Sequence, residues 1–321
     1  MSDDAPQAPT SHGVARSSPA GIGAACTAVV VWGLGNALIK GLGLNGLALS
    51  FYRLGLGALF YATVLYLRGG RLRKDSFRYG WKGGLAFGSN IATFFVALHL
   101  TTVAIAVTVS ALQPIVIVGF AAALFGERIR RDHIVWTVVA TAGVAAVTLG
   151  ATGPGSASVA GIVISFVSLF TWAWYFVASK QARQHLDTLE YMTVMLTVAF
   201  VAVAPISVLT GALGAADGHL TWRTFGGIWL IVLLPGSGHV LINWAHAHTT
   251  LLLTSLITLG TPVISAAAAA VFLGEQVTVV QWSGMAVVLV ALAAVIVADA
   301  RADGAGPDAA TLAEQATEPE H

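Results

Sequence analysis

The chain has 321 residues, of which 56% are hydrophobic and 10% are charged, and its mean hydropathy is +0.80. A soluble domain of this composition would lack the polar side chains needed to cover its surface, so the sequence predicts an integral membrane protein. A formal net charge of +1 argues against a nucleic-acid partner, and the single cysteine, Cys26, excludes an internal disulfide and a cage of thiolate metal ligands.

Ten apolar stretches are long enough to cross the bilayer as helices, which takes about 20 residues for about 30 Å of hydrocarbon. In chain order they lie at 20–39, 46–67, 81–99, 103–125, 133–150, 159–179, 188–210, 225–246, 250–273 and 278–298. Their length, together with the lack of strict alternation, predicts helices rather than the strands of a barrel. The predicted fold class is therefore all-α, with ten transmembrane helices.

The second half of the sequence repeats the first half. With an offset of 148 residues, Trp81 aligns with Trp229 and Pro114 aligns with Pro262. In this alignment 12 of the 47 positions from Trp81 to Glu127 are identical. Roughly four identities would be expected from composition alone, so the similarity indicates an internal repeat.

The repeat divides the chain into five segments. The first five-helix repeat is predicted to cover residues 20–150 and the second residues 159–298, with a glycine- and proline-containing hinge at 151–158. Residues 1–19 and 299–321 are predicted to be disordered cytoplasmic tails. Because each repeat has an odd number of spans, the two copies are predicted to run in opposite directions through the membrane, as in many secondary transporters.

Basic residues cluster on one side of the predicted bundle. The connections after the second, fourth and sixth spans carry 11 Lys and Arg residues, whereas the opposite connections carry only Lys40 and Arg223. Positive residues are retained on the cytoplasmic side of membrane proteins. The distribution therefore predicts a multi-pass protein of the cell membrane with both termini in the cytoplasm.

Polar and aromatic residues recur at helical spacing on several predicted spans, and such residues are costly in lipid. The candidate substrate-binding residues are Trp32 and Asn36 in the first span, Asn90 and Phe94 in the third, Trp172 and Tyr175 in the sixth, His239 and Asn243 in the eighth and Thr258 in the ninth. Ser and Thr often bond only to their own backbone, so their stripes alone do not distinguish a cavity from local backbone bonding. An amide or imidazole has more polar atoms than a local carbonyl satisfies, which favours a cavity or a cross-helix pair.

Arg53 is the tenth candidate for substrate binding, because it is the only basic residue well inside a predicted span. It lies about six residues, or ~9 Å, from the end of the second helix. Two roles are open for it. The side chain could snorkel to the outer interface, or it could turn inward to pair with a substrate carboxylate or a helix C-terminus.

Helix-breaking residues occur at equivalent positions of the two repeats. Pro114 aligns with Pro262 and Gly88 with Gly236, which directly follows Pro235. Proline removes a helix hydrogen bond and glycine allows a helix to bend. Paired interruptions in two halves point to a midplane site and to moving segments, so these five residues are the predicted helix hinges.

Catalytic chemistry finds no support in the sequence. No Asp or Glu lies in the middle of a predicted span, no hydrolase, metalloprotease or nucleotide-binding motif occurs, and no close cluster of His and carboxylates would hold a metal ion. The sequence therefore predicts no enzymatic activity, no cofactor and no metal site. Whether His239 titrates and couples transport to protons stays open.

Two segments share a proline-bearing helix that closes on Gly-Glu, at residues 113–128 and 261–276. With Val-Trp-Gly at 31–33 and Phe-Tyr-Arg at 51–53, they resemble the EamA family of the drug/metabolite transporter superfamily over about residues 20–298. The resemblance implies a ten-helix inverted-repeat carrier that moves small metabolites by alternating access. It also implies a central cavity among the first to fourth and sixth to ninth helices.

The predicted function is export of a small organic metabolite, such as an amino acid or an aromatic or amphipathic solute. The predicted cavity contains no acidic group, which disfavours a strongly cationic solute. The alternative is a membrane scaffold or sensor without transport, which would have tightly packed polar residues and no reachable cavity. The predicted partners are the solute and the lipid bilayer. A homodimer is left open, because the fifth and tenth spans carry few polar residues and are predicted to be peripheral.

Overall fold

The computed structural model describes residues 17–40, 42–100, 106, 109–149, 158–273 and 277–304. Every regular element within these ranges is a helix, which confirms the predicted all-α class. The predicted tails lie outside the described residues except at 17–19 and 299–304, as does the predicted hinge except Ser158. The side chain of Asn36 is also outside them.

The helices with described bounds are α1 (Pro19–Lys40), α2 (Gly46–Leu67), α3 (Lys74–Leu100), α4 (Gln113–Phe125), α5 (Arg131–Leu149), α6 (Val159–Ala182), α7 (Thr188–Leu209), α8 (Trp222–Ala245), α9 (Leu251–Ile257), α10 (Thr261–Leu273) and α11 (Val279–Gly304). A 3-10 turn joins α9 to α10. Six spans in the described chain are long and apolar enough to cross a membrane: α2, α6, α7, α8, Leu251–Ala268 and Val279–Asp299. Pro19–Gly35 and Gln113–Phe125 are shorter apolar helices.

Close packing of α3 against α7 relies on a glycine ladder. A Cβ atom added to Gly84 would lie 2.8 Å from the carbonyl oxygen of Met195, and one added to Gly88 would lie 2.9 Å from Cα of Ala199. Such distances leave no room for a side chain. Small residues let membrane helices approach backbone to backbone, where van der Waals contact replaces the hydrophobic driving force that lipid does not provide.

Helices α5 and α11 pack against each other through a second glycine pair. A Cβ atom on Gly284 would lie 2.7 Å from the carbonyl oxygen of Gly143, and a Cβ atom on Gly143 would lie 3.0 Å from that of Gly284. Their other faces are apolar and exposed, for example at Val138 and Val290, which are 58% and 61% exposed. The predicted fifth and tenth spans thus form one pair with an outward apolar face.

The helix preceding each paired proline is broken. A turn at Ala111 and Leu112 precedes α4, which has Pro114 in its first turn. In the second repeat the 3-10 turn Thr258–Gly260 precedes α10, and Pro262 is the second residue of α10. Proline has no N–H to donate and fits the first turn of a helix, so both spans restart where the sequence predicts a kink. Gly88, Pro235 and Gly236 lie inside the continuous helices α3 and α8.

The Gly-Glu ending of α4 positions a carboxylate. Gly126 has φ +61° and ψ 22°, the left-handed conformation that glycine adopts without steric cost. Its N–H donates to the carbonyl of Ala122, and the N–H of Glu127 donates to that of Ala121. The chain therefore turns sharply at the end of α4, and Glu127 is directed into the bundle, where it is only 6% exposed.

Candidate functional site

A buried arginine and a buried histidine meet at the interface of the two repeats. Arg53 of α2 and His239 of α8 are 7% and 6% exposed, and Arg53 Nη2 lies 3.2 Å from His239 Nε2. The side chain of Arg53 therefore points inward and not to the outer interface, and its partner is His239. Within the described part of the chain no carboxylate forms an ion pair with this guanidinium.

Aromatic rings from both repeats surround the histidine. The ring centroids of Trp32 and Phe87 each lie 4.8 Å from that of His239. Those of Trp172 and Tyr175 lie 6.3 and 6.2 Å away. Trp32 is held in place by a hydrogen bond from its Nε1 to the carbonyl oxygen of Pro235, at 3.1 Å. The cluster thus joins α1, α2, α3, α6 and α8, and it contains five of the ten candidate substrate-binding residues.

The hydrogen bond to Arg53 indicates which nitrogen of His239 carries the proton. A guanidinium only donates, so His239 Nε2 must accept and the proton of the neutral ring must be on Nδ1. His239 Nδ1 is buried and has no hydrogen-bond partner in the described chain. A buried donor without a partner costs about 1–3 kcal/mol, so this N–H is ready for an acceptor that a ligand would bring.

A narrow cavity of about 20 Å³ lies beside this pair. It is lined by Arg53, Gly57, Tyr61, Phe87, Met192, Met195, Leu196, Val232, Gly236 and His239. A single water needs about 10–15 Å³ in the same measure. The cavity therefore has room for about one water molecule.

A second polar cluster lies next to the aromatic one, centred on Asn243 of α8, which is 0% exposed. Tyr175 donates its hydroxyl to Asn243 Oδ1 at 3.1 Å, and Ser179 donates to the same oxygen. Asn243 Nδ2 donates to the sulfur of Met192 at 3.1 Å. His246 Nδ1 lies 3.1 Å from Ser179 Oγ. The tyrosine therefore connects this hydrogen-bonded cluster to the rings around His239.

The remaining candidates lie elsewhere. Asn90 links α3 to α6 by donating to the carbonyl oxygen and the hydroxyl of Ser168, at 3.0 and 3.1 Å. Phe94 is partly buried and its ring contacts the neighbouring Phe95. Thr258 donates to the carbonyl oxygen of Ser255 at 2.6 Å, the local backbone bond that such residues commonly make in membrane helices.

One end of the bundle carries the loops at 68–73, 126–130 and 183–187, and we call it the basic end. Here Lys180 Nζ lies 3.2 Å from Glu127 Oε1 and donates to the carbonyl oxygen of Thr249 at 2.7 Å. The two carboxylate oxygens of Glu127 accept the N–H groups of Leu251 and Leu252 at 2.6 and 3.0 Å. This charge pair therefore ties α4 of the first repeat to α6 and to the start of α9 in the second.

The opposite end is also tied across the repeats. Asn45 Nδ2 donates to the carbonyl oxygen of Ala212 at 2.9 Å, and the Tyr52 hydroxyl donates to that of Gly218 at 3.3 Å. Asn45 also caps α2 by accepting the N–H of Ala48. Contacts between the repeats thus hold both ends of the bundle around the small cavity.

Several residues of the site are not among those predicted from the sequence. Tyr61 follows Arg53 by two helical turns, and Phe87 precedes Asn90 by one, so their helical spacing was an available signal. Met192 and Met195 carry no polar signal, because methionine is an ordinary apolar residue in a membrane helix. The sequence alone indicates only a helix end for Glu127 and a positive flank for Lys180.

Comparison with known proteins identifies the family. The model of the EamA-like transporter family matches residues 19–149 and again residues 159–297. A solved structure described as "Crystal structure of protein" superposes with a TM-score of 0.75 at 20% sequence identity, over 89% of this chain and 99% of that one. At that identity the likeness shows the fold alone. No curated protein matches the sequence. Because the family matches cover most of the chain in two copies, it belongs to the EamA-like transporter family.

Proposed function

We propose that the chain is a secondary transporter that exports a small organic solute by alternating access. In this proposal ten helices cross the cell membrane as two antiparallel five-helix copies, and both termini are cytoplasmic. The basic end then faces the cytoplasm. The observation that carries the proposal is the buried Arg53 and His239 pair, which lies between the repeats within a shell of aromatic rings.

Such a pair has no structural advantage in a membrane bundle. A charged side chain away from water costs several kcal/mol unless it is well paired, and an apolar residue of similar size would pack as well or better. A scaffold or sensor held together by packing would therefore gain nothing from Arg53. A solute site does gain, because the buried donors recognise a polar group that the surrounding rings desolvate.

The two helix breaks supply the moving parts of the proposal. Discontinuous helices at equivalent places in two repeats are typical of carriers whose halves rock around a fixed site. Pro114 and Pro262 lie directly after such breaks. Gly88, Pro235 and Gly236 remain proposed hinges within continuous helices. Because both ends are tied and the cavity is near 20 Å³, we assign this conformation to a closed state between the two open ones of the proposed cycle.

The experiment that tests the proposal is counterflow with purified protein in liposomes, over a panel of amino acids and aromatic metabolites. We expect that His239→Ala and Asn243→Ala each lower the initial rate about tenfold or more, because each removes a buried polar contact worth about 1–3 kcal/mol. The matched control is Thr63→Ala on α2, where the hydroxyl is exposed and, within the described residues, bonds only to the carbonyl of Leu59. Unchanged rates in both site variants would contradict the proposal.

A further inference from the structure

We propose that Arg53 binds the carboxylate of the transported solute, and that His239 takes the place of this carboxylate while the site is empty. The inference rests on the proposed function and names its substrate class as organic acids with one carboxylate and an apolar or aromatic body. Free organic acids and amino acids both carry such a carboxylate.

The positive charge of Arg53 has no negative partner in the site. Arg53 is 7% exposed and its only hydrogen-bond partner in the described chain is the uncharged His239 ring. None of the ten residues that line the cavity is acidic. The full positive charge of a guanidinium, which does not deprotonate in proteins, therefore remains uncompensated. A ligand with one negative charge would balance it, whereas an amine would add a second positive charge beside it.

The hydrogen-bond donors around Arg53 outnumber the acceptors that they bond. The guanidinium has five N–H donors and His239 adds the unpartnered Nδ1–H, whereas the only acceptor hydrogen-bonded to Arg53 in the described chain is His239 Nε2. The site therefore has more donors than bonded acceptors, and a ligand can bring the acceptors. A carboxylate is acceptor-only and takes two parallel N–H groups from one guanidinium, which makes it the group that fits this deficit best.

The cavity wall beside the guanidinium is mainly apolar. The cavity wall next to Arg53 consists mainly of Phe87, Met192, Leu196 and Val232, which offer contact to a hydrocarbon or aromatic body. The empty cavity of about 20 Å³ is too small for such a body. Binding must therefore widen the cavity between α2, α3, α7 and α8. In this proposal the carboxylate replaces the His239 contact on Arg53, which separates α2 from α8. The exchange links solute binding to movement between the repeats.

The test uses ligands that share one skeleton and differ in one group: 3-phenylpropionate, 3-phenylpropanamide and 3-phenylpropylamine, with phenylalanine as the amino-acid form of the carboxylate. Binding to the detergent-solubilised full chain is followed by tryptophan fluorescence, since Trp32 and Trp172 adjoin the site. We expect at least one of the two carboxylates to bind about tenfold or more tightly than the amide and the amine.

Arg53→Gln is expected to weaken carboxylate binding about 30-fold or more and to change amide binding less than about threefold. Arg53→Lys keeps the positive charge but lacks the two parallel N–H donors of the guanidinium, so it should still prefer the carboxylate but bind it with lower affinity. If Arg53→Gln does not fold, the wild-type ligand series and Arg53→Lys still decide. Equal binding of amine and carboxylate, or an Arg53→Lys protein that prefers the amide, would overturn the inference.

Failure of the inference and failure of the proposed function give different results. Carboxylate binding that depends on Arg53, without transport of either carboxylate into liposomes, would support the anion site and contradict the transporter. Transport of amines or neutral solutes at an unchanged rate in Arg53→Gln would support the transporter and contradict the anion site.

Discussion

The buried charge pair at the basic end gives the sharpest prediction about stability. Three donors converge on the carboxylate of Glu127: Lys180 Nζ at 3.2 Å, Leu251 N at 2.6 Å and Leu252 N at 3.0 Å. The two side chains of the ion pair are 6% and 4% exposed. Glu127→Gln keeps the shape of the side chain but replaces one acceptor oxygen by an NH2 group. In either orientation of the amide, that NH2 group faces at least one of the three donors.

The expected loss of stability follows from burial. Removing one partner of a buried ion pair costs about 3–5 kcal/mol, because the other charge stays in the interior without compensation. Lys180 keeps one neutral acceptor, the carbonyl oxygen of Thr249 at 2.7 Å, so we expect the lower part of this range for Glu127→Gln. The double variant Glu127→Gln/Lys180→Met removes both charges. Its loss of unfolding free energy should be about 2 kcal/mol smaller than the sum of the losses in the two single variants.

The assay is reversible unfolding in mixed micelles, followed by tryptophan fluorescence, for the wild type, the single variants and the double variant. The matched control is Asp132→Asn, which breaks the exposed pair with Arg130 at 2.7 Å, where the side chains are 33% and 51% exposed. Exposed pairs contribute about 0–1 kcal/mol. A Glu127→Gln protein within about 1 kcal/mol of the wild type, or strict additivity in the double variant, would refute the reasoning.

Two further predictions concern glycines. Gly88→Leu should disrupt the contact between α3 and α7 and lower the yield of folded protein, because its Cβ would meet Cα of Ala199 at 2.9 Å. The yield is measured by size-exclusion chromatography, and Gly23→Leu, whose side chain would enter open space, is the control. Gly126→Ala should lower the free energy of unfolding by about 1 kcal/mol or more, because a residue with a Cβ is strained at φ +61° and the turn that directs Glu127 is disturbed. Equal yields of the two leucine variants, or an alanine variant as stable as the wild type, would contradict these accounts.

Hydropathy was sufficient to predict the helical class, because bilayer thickness sets helix length. The family was predicted from a resemblance in the Gly-Glu helix ends of both repeats and in two short motifs of the first. The polar stripes singled out Trp32, Trp172 and His239, because helical spacing fixes which residues of one helix share a face. Their rings lie in one cluster, but which helices face each other was not encoded in that spacing. The direction of Arg53 was not predictable. Both snorkelling and inward pairing were compatible with its depth in α2, and only the position of α8 decides between them.

The contacts at the basic end could not be predicted from the sequence either. Glu127 and Lys180 are 53 residues apart and belong to different repeats. Their pairing depends on how α4 and α6 dock, which no local pattern encodes. The paired prolines gave a partial signal: they marked the place of an interruption in both repeats. They did not distinguish a kink from a complete restart of the helix, because proline is compatible with both.

The most direct test of the central claim is whether the site beside Arg53 opens to each side of the membrane in turn. Val232 lines the cavity and is 3% exposed, so Val232→Cys in a Cys26→Ser background places one thiol there with little change in volume. A membrane-impermeant methanethiosulfonate is applied to oriented vesicles from either side, and Cys26→Ser alone is the control. The account predicts labelling from both sides, with protection by a bound carboxylate solute. Labelling from neither side, or from one side under every condition, would contradict alternating access through this site.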